Sequence, residues 1–529
     1  MQVELIIHNA RIIDGAGTPW FRGGIAVDKG KIAAIGALDG IEAKNVIDAQ
    51  DNYLTPGFID AHTHSDFILL EDPSALTKLR QGVTTQAIGE CGYSAAPVTD
   101  ESIVPYTQYI GFLRAGVEPA WTWRSFKEWL DTLAALPLGT NVRSYVGHAT
   151  IWMTTLGFSY RPPSQAEINK MAKLVELCMD EGACGMTAGL VYSPGMSCSP
   201  EEITAVAKGL VKRQGVFESH MRSESSQLLK SVKETIAVGE ENGIPVQIAH
   251  HKAAGVKNWG LLRQSLQLIE EARERGVDVT FNQYPYESAS TTLRAILPAW
   301  VQQGGIEALC ERLQDPATRN QVEKEVLQKN CDWDNYYENA DGSDGIILLC
   351  FPNTPKVEGK TLTEVAKLHK KSPVQMALEL IVANKGVDTT AYKMMSEQDV
   401  LLGLSHPYGM VASDSISAPA NAKSHPRGFG AFPHFLEVYV KQKKHLCLEE
   451  AIRRITSAPA RRLGIMDRGL IAPGLAADLV VLNMHTLKDN STFEHPQAHP
   501  EGLDLVVVNG VIALENGQAR ITGSGQVLR

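Results

Sequence analysis

The sequence lacks several features that would assign it to a common class. It has no CxxC pair, and its eight cysteines are scattered along 529 residues, so no compact disulfide framework is indicated. The formal charge of −10 is spread along the chain without a lysine and arginine stripe, which argues against a nucleic-acid partner. Neither a basic leader nor a long apolar run opens the chain, so we expect no signal peptide, no membrane partner and a cytoplasmic location.

What the sequence does contain is a large supply of core residues. With 44% hydrophobic and 21% charged residues, it can build a large domain together with a smaller one. Short β-strands with turn residues between them dominate the first fifty-odd residues, and the same texture returns after Gly469. We therefore predict one small β-sandwich domain made of residues 1–56 and 468–529.

Between these ends, short apolar runs alternate with amphipathic helices, the pattern of a parallel sheet with helical crossovers. Eight runs qualify as strands: Gly57 to His62, Val83 to Ile88, Val142 to Gly147, Cys184 to Gly189, Gly215 to His220, Pro245 to His250, Val277 to Tyr284 and Gly409 to Asp414. Capping boxes at Ser164 and Ser199 support the helix starts. Eight such repeats predict an α/β fold, a (β/α)8 TIM-like barrel over residues 57–467.

One connection is too long for a simple crossover. Residues 286–408, between strands seven and eight, predict an inserted lid subdomain. Within it, the polar stretch from Asn335 to Gly342 suggests an irregular surface excursion.

Residues that can bind a metal or carry a proton lie at the ends of five of the eight predicted strands. Catalytic groups of such barrels gather at the carboxyl ends of the strands. The residues are His62 and His64 after strand one, Glu90 and Cys91 after strand two, His220 after strand five, His250 after strand six and Asp414 after strand eight. Each alone has a structural explanation, but the conjunction favours a metal site because a core would prefer valine, isoleucine and leucine there.

The residue types indicate a zinc hydrolase. His62 and His64 lie on one face of an extended segment and can bind one cation together. Cys91 offers a thiolate, and His220 and His250 offer imidazoles. Three protein ligands leave a position for water, whose pKa zinc lowers to about 7. Asp414 would hold that water, accept its proton and pass it to the leaving nitrogen.

Two further residues each have two alternative roles. Glu90 is either a turn residue or, if Cys91 is not the ligand, a bridging carboxylate on the metal. His148, after strand three, either hydrogen-bonds a reaction intermediate or caps its strand.

Several motifs together resemble a known family. Thr55-Pro56-Gly57-Phe58-Ile59-Asp60-Ala61-His62-Thr63-His64 with Ala477-Asp478-Leu479-Val480 is similar to the amidohydrolase superfamily. The narrower matches resemble the D-aminoacylases, or N-acyl-D-amino-acid deacylases, over nearly the whole chain. They are Gln81-Gly82-Val83-Thr84-Thr85, Cys91-Gly92-Tyr93-Ser94, Ser219-His220-Met221-Arg222, His250-His251-Lys252, Gln283-Tyr284-Pro285-Tyr286, Ser413-Asp414 and His425-Pro426-Arg427.

The resemblance implies roles for particular residues. Cys91, His220 and His250 would hold the tight Zn²⁺, with His62 and His64 forming a weaker second site, and Asp414 would be catalytic. The substrate carboxylate of a small N-acyl amino acid would bind Tyr192, Lys252 and Arg427. Ser290 and Met395 match further pocket residues.

Glu90 departs from the resemblance, since the family usually has asparagine before its cysteine. A cyclic-amide hydrolase of the hydantoinase or dihydroorotase kind is the first alternative function, although strand four carries no lysine to bridge two metals. A non-catalytic binding relative is the second. Formation of a homo-oligomer stays open.

Overall fold

The architecture was established from a computed structural model that describes residues 2–114, 116–159, 161–331, 333–416 and 422–529. Among these residues, no helix combines the length and apolar character needed to cross a membrane. All eight cysteines are free, as the scattered spacing predicts, and five of them are buried.

Parallel strands form a closed barrel, which confirms the predicted fold class. Strand labels follow chain order. The barrel strands are β6 (Phe58–Asp60), β7 (Thr63–His64), β8 (Val83–Ile88), β9 (Asn141–Ser144), β10 (Val146–Gly147), β11 (Gly185–Gly189), β12 (Val216–His220), β13 (Val246–Ile248), β14 (Val279–Gln283), β18 (Gly409–Val411) and β19 (Ser415–Ile416).

The order of pairing is that of eight successive strands. β6 pairs with β8 and β8 with β9, whose chain continues into β10; pairing then runs through β11, β12, β13 and β14 to β18. Ser415 and Ile416 of β19 pair in parallel with Thr63 and His64 of β7, which joins the eighth strand to the first. All eight predicted strands are present because each apolar run is buried on both faces, as parallel sheets require.

The two chain ends build one further sheet of nine strands. Its strands are β1 (Gln2–Ile12), β2 (Phe21–Asp28), β3 (Lys31–Gly36), β4 (Glu42–Asp48), β5 (Tyr53–Pro56), β20 (Leu479–Leu482), β21 (Leu503–Val508), β22 (Val511–Glu515) and β23 (Gln518–Ala519). β5 and β20 pair antiparallel, which connects the amino-terminal strands to the carboxy-terminal ones. The last strand, β24 (Val527–Leu528), pairs instead with β9 of the barrel.

Helices follow the barrel strands and fill the insertion. They are α1 (Ile68–Glu71), α2 (Leu76–Leu79), α3 (Asp100–Tyr109), α4 (Phe126–Ala134), α5 (His148–Leu156), α6 (Gln165–Asp180), α7 (Pro200–Ala207), α8 (Leu228–Asn242), α9 (Leu261–Glu274), α10 (Ala299–Gln302), α11 (Gly305–Arg312), α12 (Pro316–Val326), α13 (Tyr336–Asn339), α14 (Leu362–His369), α15 (Pro373–Asn384), α16 (Glu397–Ser405), α17 (Arg427–His434), α18 (Leu448–Ile455) and α19 (Ser457–Arg462). The predicted capping boxes at Ser164 and Ser199 begin α6 and α7.

The insertion between β14 and β18 has a sheet of its own, formed by β15 (Ser288–Thr291), β16 (Ile346–Cys350) and β17 (Thr389–Lys393) in antiparallel order β15-β17-β16. The expectation of a surface excursion at residues 335–342 is wrong. Asn335 caps the short helix α13, and Tyr336 and Ala340 are buried. The two adjacent tyrosines let this otherwise polar stretch pack against a hydrophobic cluster. Tyr336 also lines the cavity beside the candidate metal ligands.

Candidate active site

The chemically competent residues named above lie at one end of the barrel. His220 is the last residue of β12, and His250 lies two residues beyond β13. His62 precedes β7, Cys91 follows β8, and Asp414 lies between β18 and β19. All five side chains are buried, and their strands run in parallel, so their carboxyl ends converge as the barrel rule requires.

Three of these residues have an unusual backbone conformation. Cys91, His250 and Asp414 have φ angles of 52°, 32° and 45°, in the left-handed region that residues other than glycine seldom adopt. Gly89, two residues before Cys91, also has a positive φ angle, and a Cβ atom there would lie 2.2 Å from the Tyr145 carbonyl oxygen. Such local strain gathers at functional sites, where the surrounding fold compensates for it.

Cys91 lies at the centre of a cluster of atoms that could bind a metal ion. Its Sγ is 3.4 Å from His62 Nε2, 3.4 Å from His250 Nε2 and 3.6 Å from His220 Nδ1. One ligand atom from each of His62, Cys91, His250 and Asp414 lies within 4.8 Å of the others. His64 joins through Asp414, whose Oδ1 is 3.4 Å from His64 Nε2.

This donor set fits a metal ion. Tetrahedral zinc with Zn–S near 2.3 Å and Zn–N near 2.0–2.1 Å separates a sulfur and a nitrogen ligand by roughly 3.6 Å, and the sulfur–nitrogen distances here are 3.4–3.6 Å. Burial lowers the pKa of His220 and His250 well below the usual value, with help from neighbouring cations. Both imidazoles are therefore neutral and able to bind a metal.

Two buried glutamates orient the imidazoles, and neither was predicted from the sequence. Glu218 Oε1 is 2.8 Å from His62 Nδ1, and Glu224 Oε1 is 3.0 Å from His250 Nδ1. Carboxylates in this position fix which nitrogen faces the metal and raise its basicity. The sequence could have predicted the role of Glu218, because it lies two residues before His220 and therefore on the same face of the strand. No comparable sequence pattern indicates the role of Glu224.

Asp414 is held as a carboxylate beside Arg427. Burial alone would raise its pKa, but the charge of the Arg427 guanidinium and the hydrogen bond with the His64 ring outweigh burial and keep the pKa well below the usual value. Arg427 Nη1 is 2.9 Å from Asp414 Oδ2. Asp414 is therefore ionised at neutral pH and able to accept a proton.

A cavity opens beside the cluster, and it has polar and apolar walls. Its described lining residues are His64, Cys91, Tyr93, Phe112, Leu113, Tyr192, His220, Glu224, His250, Lys252, Tyr284, Ala289, Ser290, Thr291, Tyr336, Asp414 and Ile416. The Tyr284 hydroxyl and Arg427 Nε are buried without a hydrogen-bond partner among the described residues. Unsatisfied polar atoms of this kind are expected where a polar ligand binds.

The residues matched to carboxylate binding lie around this cavity. The Arg427 guanidinium stacks 4.5 Å from the Tyr284 ring centre, and Arg427 Nη2 donates to the Ser290 carbonyl oxygen at 3.1 Å. Lys252 Nζ contacts Glu224, and Tyr192 packs edge-on against His220 with its hydroxyl 3.0 Å from Thr291 Oγ1. Lys252, Tyr192 and Ser290 line the cavity directly.

The remaining residues predicted from the sequence, which are His148, Met395 and Glu90, lie outside the lining of this cavity. His148 begins α5 with both ring nitrogens buried and unpartnered among the described residues, and burial lowers its pKa to about 4. Met395 is buried in a hydrophobic cluster that the insertion shares with other parts of the chain. Neither lines the cavity. Glu90 is fully buried, with its Oε2 3.5 Å from His62 Nδ1, on the side of that ring away from Cys91.

A buried lysine connects the first and eighth strands. Lys78 Nζ contacts Asp60 Oδ2 at 2.7 Å, Ser415 Oγ at 2.7 Å and Thr63 Oγ1 at 2.9 Å. Asp60 in turn accepts a hydrogen bond from the Ser413 backbone nitrogen at 2.9 Å. This network fixes the segments that carry His62, His64 and Asp414.

We expect Lys78→Met to destabilise the fold by about 3–5 kcal/mol, because it leaves the Asp60 carboxylate buried without its cation. The shift in the thermal unfolding midpoint checks this. Lys170→Met, on the exposed face of α6, is the control and should change stability by less than about 0.5 kcal/mol. Equal midpoints for both variants would contradict the role of the lysine.

Comparisons with known proteins show which family the chain resembles. The family described as "Amidohydrolase family" matches residues 45–514. D-aminoacylase of Alcaligenes xylosoxydans xylosoxydans is 33% identical over 507 residues, covering 96% of this chain and 93% of the relative. N-acyl-D-glutamate deacylase of Bordetella bronchiseptica, solved with zinc and a phosphonate mimic of the tetrahedral intermediate, has a TM-score of 0.85 and 30% identity over 100% of both chains. A D-aminoacylase structure described for its binuclear metal centre has a TM-score of 0.84 and 30% identity, again over 100% of both chains.

The barrel, the clustered ligands and the matching family model define the class: the chain belongs to the amidohydrolase family. Within that family it is a member of the D-aminoacylase group, the N-acyl-D-amino-acid deacylases, as the relatives over nearly its full length show.

Proposed function

We propose that this protein hydrolyses the amide bond of N-acyl-D-amino acids, giving a carboxylate and a free D-amino acid. The observation that carries the proposal is the contact of Asp414 with the metal-binding cluster on one side and with Arg427 on the other. A general base and a carboxylate-binding cation thus flank one cavity. The D preference and the linear amide rest on the relatives named above.

We infer that the metal is zinc and that its tight site consists of Cys91, His220 and His250. His62 and His64 would form a weaker second site that shares Cys91, whose Sγ lies 3.4 Å from His62 Nε2. Zinc bound here would lower the pKa of a water molecule and polarise the substrate carbonyl. The related D-aminoacylase with a binuclear metal centre is described as having one-metal activation and second-metal attenuation, which supports two unequal sites.

Asp414 moves the proton in this mechanism. The attacking water forms a bond from its oxygen to the carbonyl carbon and gives a proton to the Asp414 carboxylate. Asp414 then gives that proton to the leaving nitrogen as the carbon–nitrogen bond breaks, and the second product leaves as an amine. A base within hydrogen-bond reach of both atoms contributes about 100- to 10,000-fold to the rate.

Arg427, Lys252 and Tyr192 orient the substrate through its carboxylate. Arg427 offers a planar fork that matches a carboxylate, and Lys252 adds a point charge. Because Arg427 also holds Asp414, the carboxylate and the proton acceptor are fixed by one side chain. Ser290 supports that side chain through its carbonyl oxygen.

An amine-release assay tests the function. Purified zinc-loaded protein should release amine from N-acyl-D-amino acids and leave the matched L-compounds, hydantoins and dihydroorotate essentially unchanged. Equal turnover of D- and L-compounds would refute the stereochemical part. Turnover of hydantoins alone would refute the linear-amide part; β11 disfavours hydantoins because it has no lysine for a bridge between two metals.

A further inference from the structure

A second cavity lies at the opposite end of the barrel from the candidate metal ligands around Cys91. It is lined by residues at or just before the starts of several strands, including Cys184 before β11, Val216 of β12, Pro245 before β13 and Asp278 before β14. Helix α19 forms another part of its wall. Its volume of about 770 Å³ falls in the range of small-molecule sites.

The lining of this cavity is strongly basic in a chain of net negative charge. One lining residue, Asp278, is acidic among the described residues. The basic residues are all arginines: Arg143, Arg213, Arg273, Arg453, Arg461, Arg462 and Arg529. Concave surfaces lined by one sign of charge focus the field and concentrate ions of the opposite sign.

Nearby carboxylates do not neutralise these arginines, because each is shared with another cation. Asp278 pairs with both Arg273 and Arg462, at 2.9 and 2.8 Å. Three carboxylates outside the lining are shared in the same way. Asp180 pairs with Arg213 and also with Lys212, Glu450 pairs with Arg453 and also with Arg454, and Asp131 pairs with Arg529 and also with Lys127. The cavity therefore keeps an excess of positive charge.

Three arginines have unused capacity. Arg143 is held by backbone carbonyl oxygens, those of Leu528 and Gly182 among them, and forms no ion pair with a described carboxylate. Arg461 is exposed and has no ion pair in the described part of the chain. The Arg462 side chain is only 5% exposed, and its Nε lacks a hydrogen-bond partner among the described residues. The cavity is therefore a preformed cationic site in which some arginine groups have no partner among the described residues.

We propose that this cavity binds a small phosphorylated anion with two or more negative charges. Arginine forks match phosphate oxygens in a bidentate geometry. The Arg273 guanidinium lies 4.2 Å from the Tyr408 ring centre, which adds a flat stacked surface to the wall. Because this cavity and the metal cluster occupy opposite ends of the strands, the anion does not compete with the amide substrate.

Calorimetric titration of the zinc-loaded protein with inorganic pyrophosphate, at constant ionic strength, tests the proposal. We expect saturable binding at about one site per chain, weakened about tenfold by Arg461→Gln because one charged hydrogen bond is lost. Arg263→Gln, a matched charge change at an exposed position on α9 outside the cavity, should leave the affinity unchanged. Asp414→Asn should also bind pyrophosphate normally, which separates this site from catalysis.

The proposal is overturned if pyrophosphate does not bind, or if both arginine variants weaken binding equally, since that result reports net charge only. Stronger binding by Asp414→Asn would place the anion in the catalytic cavity, because that variant removes the negative charge beside Arg427, and would overturn the proposal too. Thermal unfolding midpoints of both arginine variants equal to that of the parent protein establish that folding is intact. Citrate, a polyanion without phosphorus, should bind more weakly than pyrophosphate; equal affinity overturns the phosphate assignment.

Discussion

Asp414→Asn should lose about 100- to 10,000-fold in kcat, as expected when a positioned proton carrier is removed. An amide cannot accept the proton of the attacking water, whereas the ionised carboxylate can. The buried Arg427 would also lose its charge partner 2.9 Å away. Steady-state amine release gives kcat, and elemental analysis gives the metal content.

The same experiment distinguishes catalysis from folding. Metal content should remain near one zinc per chain, because Cys91, His220 and His250 are untouched in this variant. Asp39→Asn, at an exposed position in the terminal sheet region, is the matched control and should keep full activity. Unimpaired hydrolysis by Asp414→Asn would eliminate Asp414 as the proton carrier.

Cys91→Ser should lose most of the bound zinc and at least about 100-fold in activity at ambient zinc, since even outer residues that orient ligands contribute 10- to 100-fold. Its sulfur lies within 3.6 Å of nitrogens from His62, His220 and His250, so one substitution would weaken both of the proposed metal positions. Zinc content after dialysis and activity with added zinc measure the effect.

Cys198→Ser provides the comparison for Cys91→Ser. Cys198 is also a buried free thiol, but its Sγ faces the Ser199 carbonyl oxygen and not a cluster of ligands. Its zinc content and activity should equal those of the parent protein. If Cys91→Ser kept its zinc, the ligand role would pass to the neighbouring Glu90.

Glu90 has a different role if Cys91 is the ligand. Burial and then the neighbouring Glu218 raise the pKa of Glu90 well above its usual value. Both of its oxygens lack hydrogen-bond partners among the described residues, and Oε2 faces His62 Nδ1. The His62 ring therefore has carboxyl groups beside one nitrogen and Cys91 beside the other, which is an arrangement for orienting a ligand.

The fold was largely predictable because its signals are local. Each barrel strand is a short apolar run before a turn, and each run is buried on both faces in the parallel sheet. The polar stretch at residues 335–342 misled the prediction because composition does not report burial. Tyr336 is buried there through contacts with residues far away in the chain, such as Tyr392.

The order of residues along the chain was enough to establish which side chains end the strands, and therefore that His62, Cys91, His220, His250 and Asp414 converge at one end of a barrel. The residues that contact and orient these side chains could be identified only from the tertiary packing. Glu224, Lys78 and the arginines of the second cavity act through partners far apart in the chain, and sequence spacing carries no information about such contacts. The order of strands determines the position of each residue in the barrel, whereas tertiary packing determines which groups its side chain contacts.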